Sequence, residues 1–222
     1  MTLWVLIPVK RFADSKSRLA SHLGPKQRIR LAEAMLRDTL STVSKVDDIS
    51  GIALVTADPQ AAKVGRAAGA VVLDDDAPDL NGALTSGREQ LFLRYGPIAL
   101  LILPIDLPAL RQEDVESVVR AGRNPGAMVI VADDRRDGTN ALLLGPDVDL
   151  TFAYGPGSYA RHRASAQTAG LQPTVLQVPG IAFDLDAPAD LNRMPKSPIG
   201  AHIGALLAGL EPSNRNTVER AS

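Results

Sequence analysis

Apolar residues along this chain gather into short runs separated by longer segments of helical period. β-branched or leucine-rich runs occupy residues 3–9, 51–56, 70–73, 98–103, 128–131, 141–144 and 174–178, and each has the length and composition of a buried strand. Between them, residues 25–45 carry Ile29, Leu31, Ala32, Met35, Leu36, Thr39, Leu40 and Val43 at three- and four-residue spacings, the stripe of an amphipathic helix. Further helices are predicted over 59–68, 80–94, 111–121 and 158–169. Strands alternating with helices predict an α/β domain whose largely parallel sheet is covered on both faces and connected by right-handed crossovers. Past Met194 the pattern changes. Pro195 and Pro198 precede a small-residue segment, 199–210, read as a docking or dimer helix, and a polar end, 211–222, expected to fray. The expected division is a domain over 1–194 and a tail over 195–222, partly helical or disordered.

Composition narrows the chemistry. The 222 residues are 45% hydrophobic and 22% charged, and 24 basic side chains nearly cancel 25 acidic ones. That balance excludes a disordered chain and a generic binder of nucleic acid. No cysteine is present, and His22, His162 and His202 lie far apart, so thiolate sites and imidazole-built zinc centres drop out and any metal should be hard and oxygen-bound. No window approaches about 18 uninterrupted apolar residues, and the first apolar run lacks a basic leader. A soluble, cytoplasmic protein without membrane contact is expected.

In an open parallel sheet, ligands bind beyond the carboxyl ends of the strands, so the residues that follow each run matter most. The first run ends in Pro8-Val9-Lys10-Arg11 and continues through Lys16 and Arg18, four cations within nine residues. This is counter-charge for a triphosphate, although the glycines of a Walker A loop or a dinucleotide fingerprint are missing and a solvated basic loop has the same spacing. The run 98–103 leads into Pro104-Ile105-Asp106-Leu107-Pro108; two prolines hold one carboxylate rigidly at the sheet rim, where aspartate also serves as a turn or helix cap. Asp184 and Asp186 are two apart, so in an extended segment they share a face roughly 7 Å apart and need a cation. Magnesium suits carboxylate oxygens and phosphates together. Asp186 to Asp190 is equally the pattern of a helix N-cap, a role that leaves Asp184 unexplained. Finally Gly155-Pro156-Gly157-Ser158 opens a predicted helix carrying Arg161 and Arg163, either an anion site or an ordinary turn. Asp74, Asp75 and Asp76 read as a solvated loop, His22 and His202 as unpartnered surface residues, and Trp4 and Tyr95 as packing.

Taken in order, Leu6-Ile7-Pro8-Val9-Lys10 with Lys16-Ser17-Arg18-Leu19, Leu80-Asn81-Gly82-Ala83-Leu84, Pro104-Ile105-Asp106-Leu107-Pro108, Gly138-Thr139-Asn140-Ala141-Leu142, Gly155-Pro156-Gly157-Ser158 and Asp184-Leu185-Asp186 resemble the 2-phospholactate and phosphoenolpyruvate guanylyltransferases of deazaflavin coenzyme (coenzyme F-420) biosynthesis. The resemblance runs from about Leu3 to Met194. It implies a single-domain, three-layer nucleotidyltransferase fold, Rossmann-like and akin to glycosyltransferase A, that uses GTP and magnesium. Carried over residue by residue, it implies magnesium on Asp106, Asp184 and Asp186, phospho-acid contacts at Thr139, Gly155 and Ser158, and a base-reading loop around Asn81 and Gly82. Here Asp79-Leu80-Asn81 stands where Gly-Leu-Asn is more usual.

The reaction so implied is attack by the phosphate oxygen of phosphoenolpyruvate, 2-phospholactate or 3-phosphoglycerate on the α-phosphorus of GTP, with pyrophosphate leaving and Pro8, Lys10, Lys16 and Arg18 around the triphosphate. No protein base is needed, because the attacking phosphate is already largely ionised near neutral pH. The labile adduct would pass to the next enzyme of the pathway. The same paired aspartates would also serve a sugar-phosphate nucleotidyltransferase or a glycosyltransferase of the same fold, and if they were only helix caps the chain would be a nucleotide-sensing module.

Overall fold

The computed structural model describes residues 1–194 and 199–209; Pro195, Pro198 and the polar end 211–222 lie outside them. Seven strands form one sheet in the order β3-β2-β1-β4-β6-β5-β7, with β1 Leu3–Pro8, β2 Gly51–Val55, β3 Val71–Leu73, β4 Ala99–Ile102, β5 Met128–Ala132, β6 Thr139–Leu144 and β7 Thr174–Leu176. All neighbours run parallel except β6, which is antiparallel to β4 and to β5. The helices are α1 Pro25–Val43, α2 Pro59–Ala67, α3 Leu80–Tyr95, α4 Gln112–Ala121, α5 Ser158–Thr168, α6 Pro179–Ala182, α7 Pro188–Arg193 and α8 Ala201–Gly209.

Side chains alternate across each strand, and the alternation sorts β1 between two cores. Leu3, Val5 and Ile7 join Leu36 and Leu40 of α1 and Val115 and Val118 of α4, whereas Trp4 and Leu6 join Leu84 and Leu91 of α3 on the opposite face. The result is three layers, as the pattern of runs predicts, and Trp4 packs against Tyr95 with ring centroids 4.3 Å apart.

A third, smaller apolar cluster matters more for function. Leu19, Leu23, Leu31, Met35, Leu185 and Ile203 are buried together, with Ile105 packed against them. Leu19 belongs to the basic loop, Ile105 precedes Asp106, and Leu185 separates Asp184 from Asp186. One patch of apolar burial therefore fixes all three loops at the carboxyl end of the sheet. Helix α8 covers this patch. Asp38 of α1 accepts from the backbone N–H groups of His202 and Ile203, both at 2.9 Å, and its Oδ1 lies 2.7 Å from His202 Nδ1. His202, expected to be unpartnered, is thus half-exposed but paired, and the segment read as a docking helix docks on α1 of its own chain. Among the described residues no helix is long and apolar enough to cross a membrane.

Candidate active site

The loop after β1 is built around Lys16, whose backbone adopts the left-handed region at φ 54°. A side chain pays about 1 kcal/mol or more there, so other contacts must hold it. Its ammonium lies 3.0 Å from Asp106 Oδ2 and 3.2 Å from Asp186 Oδ1, and its side chain is only 7% exposed. Burial pulls the ammonium pKa down, but the two carboxylates outweigh it and leave it raised. Arg18 adds a second contact to Asp186 at 3.0 Å from the solvent side. The Phe12 N–H donates to Asp58 Oδ2 at 2.8 Å, while Asp58 Oδ1 accepts from the first-turn N–H groups of α2, so one carboxylate caps that helix and pins the loop.

The hydrogen bonds also settle the capping alternatives. Asp106 caps no helix: its side chain meets Lys16, while its carbonyl accepts from Leu185 N–H at 2.9 Å and joins the two acidic segments. At α7 the cap runs in reverse. Asp190, 2% exposed, reaches back to the N–H groups of Asp186 and Ala187 at 3.1 and 2.7 Å, which leaves the Asp186 carboxylate for the two cations. We expect Asp190→Ala to cost about 1–2 kcal/mol through the lost cap and to lower turnover by releasing Asp186. A chemical denaturation curve and a rate on the same sample check this, and unchanged turnover beside lost stability would confine Asp190 to the fold.

A cleft of about 850 Å³ opens over these groups, lined by Pro8, Lys10, Lys16, Arg18, Asp106 and Asp186 on one side and by Asp75, Pro78, Asp79, Leu80 and Ala83 on the other. Asp75 thus faces the cleft rather than belonging to a merely solvated loop. Asp79, the departure from the usual motif, is the N-cap of α3, its Oδ1 accepting from Gly82 N–H at 2.8 Å. Asn81 is not among the lining residues. Its amide holds the Tyr154 backbone, accepting from the N–H at 2.7 Å and donating to the C=O at 3.2 Å.

Thr139, Gly155 and Ser158 are brought to one place by α5, through Thr139–His162 and Ser158–Gly155 contacts, but none of them lines the cleft. Thr139 opens β6, which runs antiparallel to β4, so it lies towards the carboxyl end of that strand. Ser158 is 1% exposed at the start of α5. The expected anion-binding turn is partly filled from within, because Asp137 Oδ2 accepts from Gly157 N–H at 3.1 Å and its carbonyl from Tyr159 N–H.

Asp184 lies near enough to Asp106, Asp186 and Asp133 to feel their charges. Burial first, then the charges of Asp106, Asp186 and Asp133, push its carboxyl up to about 6, the behaviour of a partly buried carboxylate among like charges. Among the described residues no three His, Cys, Asp or Glu side chains stand as a ready metal-ligand set; the Lys16 ammonium lies between Asp106 and Asp186 instead. The donor chemistry nonetheless fits magnesium, being carboxylate oxygen throughout. Sequence reasoning missed Asp58, and it named Asp75 and Asp190 without assigning the one to the cleft wall or the other the reverse cap. Asp58 was legible as Asp-Pro before a helix, and Asp190 as an acidic residue in the first turn of α7.

The family model described as "Guanylyl transferase CofC like" matches residues 3–195. The phosphoenolpyruvate guanylyltransferase of Sphaerobacter thermophilus is 37% identical over 203 residues, covering 90% of this chain and 97% of that protein. The one of Rubrobacter xylanophilus is 39% identical over 198 residues, covering 89% and 95%. Among solved structures, a Methanothermobacter nucleotidyl transferase superposes with a TM-score of 0.62 at 15% identity, covering 94% of this chain and 99% of that one, a likeness of fold. A largely parallel sheet with a basic loop and paired aspartates at its carboxyl rim, in a chain matched over nearly its whole length, makes this chain a nucleotidyltransferase and a member of the CofC-like guanylyltransferase family.

Proposed function

We propose that the protein transfers GMP from GTP to the phosphate of a three-carbon phospho-acid, phosphoenolpyruvate foremost, and releases pyrophosphate. One observation carries this reading: an acidic pair, Asp106 and Asp186, is held by a nearly buried lysine at the mouth of a cleft walled by further cations. The acceptor is taken from the relatives, which are phosphoenolpyruvate guanylyltransferases. The attacking group is the phosphate of the acid, already ionised, so the chain's work is positioning and charge neutralisation. Two of the three ammonium hydrogens of Lys16 are spent on carboxylates, which leaves one for a phosphate oxygen. Lys10 and Arg11 line the same wall and meet the outer phosphates, offsetting the charge on the departing pyrophosphate. Asp106, Asp184 and Asp186 would hold magnesium, which supplies positive charge between the two anionic substrates.

The base belongs at the far wall. Guanine carries its amine at C2, with a hydrogen on the neighbouring N1, where adenine has a bare C2–H and an N1 acceptor and bears its amine at C6 instead; the carboxylates of Asp75 and Asp79 line that wall as acceptors for the C2 amine. GTP is therefore expected to exceed ATP in kcat/KM by about tenfold or more, one lost hydrogen bond to a charged group. Pyrophosphate release measured with each nucleoside triphosphate, phosphoenolpyruvate and magnesium tests this. Equal values for GTP and ATP would contradict guanylyl selectivity.

A further inference from the structure

Behind Thr139 lies a histidine that the reaction as described does not use. His162 is fully buried on α5. The backbone N–H of Ala153 donates to its Nε2 at 3.0 Å, and its Nδ1 lies 3.0 Å from Thr139 Oγ1. A peptide N–H can only donate, so Nε2 must carry no hydrogen. The neutral ring then carries its hydrogen on Nδ1 and donates it to Thr139. Because the hydroxyl accepts from the ring, its own O–H must be given to another acceptor, and none is seen among the described residues.

The surroundings lock this arrangement. Burial, and secondarily the charge of Arg161, hold the His162 pKa down at about 4. The Tyr154 ring packs against the imidazole in a T-shaped contact with centroids 4.9 Å apart, and the two hydrogen bonds from Asn81 fix the 153–154 backbone that dictates the tautomer. Asn81, Tyr154, Ala153, His162 and Thr139 form one chain of contacts from α3 to the first residue of β6.

We propose that His162 is a positioning residue that fixes the Thr139 hydroxyl as a hydrogen-bond donor towards the anionic phospho-acid. This rests on the guanylyl-transfer reading and deepens it. An anion accepts but cannot donate, so a threonine whose hydrogen was spent on a histidine nitrogen would present a lone pair to the substrate and repel it. The Asn81 amide contributes at one remove, as a brace for the backbone.

Two measurements test it. Ring-nitrogen NMR of histidine-labelled protein near neutral pH should show His162 as the neutral tautomer protonated on Nδ1, with the Nδ1 signal shifting when phosphoenolpyruvate is added. A hydrogen on Nε2, or a cationic ring, would overturn the proposal. In steady-state kinetics, His162→Gln should raise KM for phosphoenolpyruvate by roughly tenfold, the effect of one misdirected hydrogen bond to a charged group, with KM for GTP nearly constant. In the Thr139→Val background the same change should add little, because the two residues act as one unit. Equal loss for both substrates, or losses that multiply, would assign His162 to folding alone. A melting curve on each variant separates unfolding from misplacement, and the tautomer assignment uses unaltered protein. Absence of turnover by the unaltered protein would overturn the guanylyl-transfer reading itself, and the acceptor role with it, whatever the tautomer.

Discussion

Replacing Lys16 with alanine is expected to lower kcat/KM by about a hundredfold or more, the scale on which a preorganised charge at a reacting phosphate acts. The same ammonium holds Asp106 and Asp186 together at 3.0 and 3.2 Å, so its loss also costs stability. A fully buried pair broken on one side would lose about 3–5 kcal/mol, but the partners are 26% and 42% exposed, which brings the expectation down to about 1–2 kcal/mol. Backbone and side chain can be separated here. Because φ is 54°, Lys16→Gly removes the left-handed strain that alanine retains and should be more stable than Lys16→Ala by about 1 kcal/mol while remaining equally inactive. Thermal melts and rates on both variants check the pair of claims; near-normal turnover in either would place Lys16 outside the chemistry.

Asp184→Asn is expected to raise stability and abolish most activity. With its carboxyl pushed up to about 6 against an ordinary value of about 4, the native state binds the proton more tightly than the unfolded chain. That stabilisation is complete below about pH 4 and is lost as pH rises towards 6, so at neutral pH the ionised group is a net burden. An amide carries no such charge, and the variant should match or exceed the parent melting temperature at pH 7.5 and lose the advantage near pH 4. Activity should fall steeply and be restored only in part by excess magnesium, because one neutral oxygen replaces an anionic one. Asp106→Asn and Asp186→Asn should lose activity without gaining stability, since each leaves the Lys16 ammonium with a weaker partner. Retained activity in all three variants would mean that these carboxylates hold no metal.

The strand runs and helix stripes were legible because burial imposes a period on sequence, and β1 shows it plainly, its alternate residues entering opposite cores. The basic loop and Asp106 were legible because they follow strands, and the 184–186 pair because two carboxylates two residues apart share a face. What stayed hidden was pairing across long sequence separations. Nothing local tells that Lys16 lies between Asp106, 90 residues on, and Asp186, 170 residues on, or that Asp38 caps α8 from 164 residues away. Asn81 shows the complementary difficulty. Its motif marks the cleft wall, yet its amide is turned to the Tyr154 backbone, a choice made by two packed loops that no spacing encodes. His162 could be read only once Ala153 N–H and Thr139 Oγ1 were both in place, because tautomers follow partners.

Which phosphorus is attacked, and what leaves, defines the reaction. The most direct measurement follows two labels through one reaction with phosphoenolpyruvate and magnesium: GTP labelled at the α-phosphorus and GTP labelled at the γ-phosphorus, with the next enzyme of the pathway present to trap a labile adduct. Guanylyl transfer predicts that the α-label appears in the guanosine–phospho-acid adduct and the γ-label in pyrophosphate, at equal rates, with the adduct's mass equal to GMP joined to the acid. Label from the γ-position in inorganic phosphate alone, or no adduct with any three-carbon phospho-acid, would contradict it.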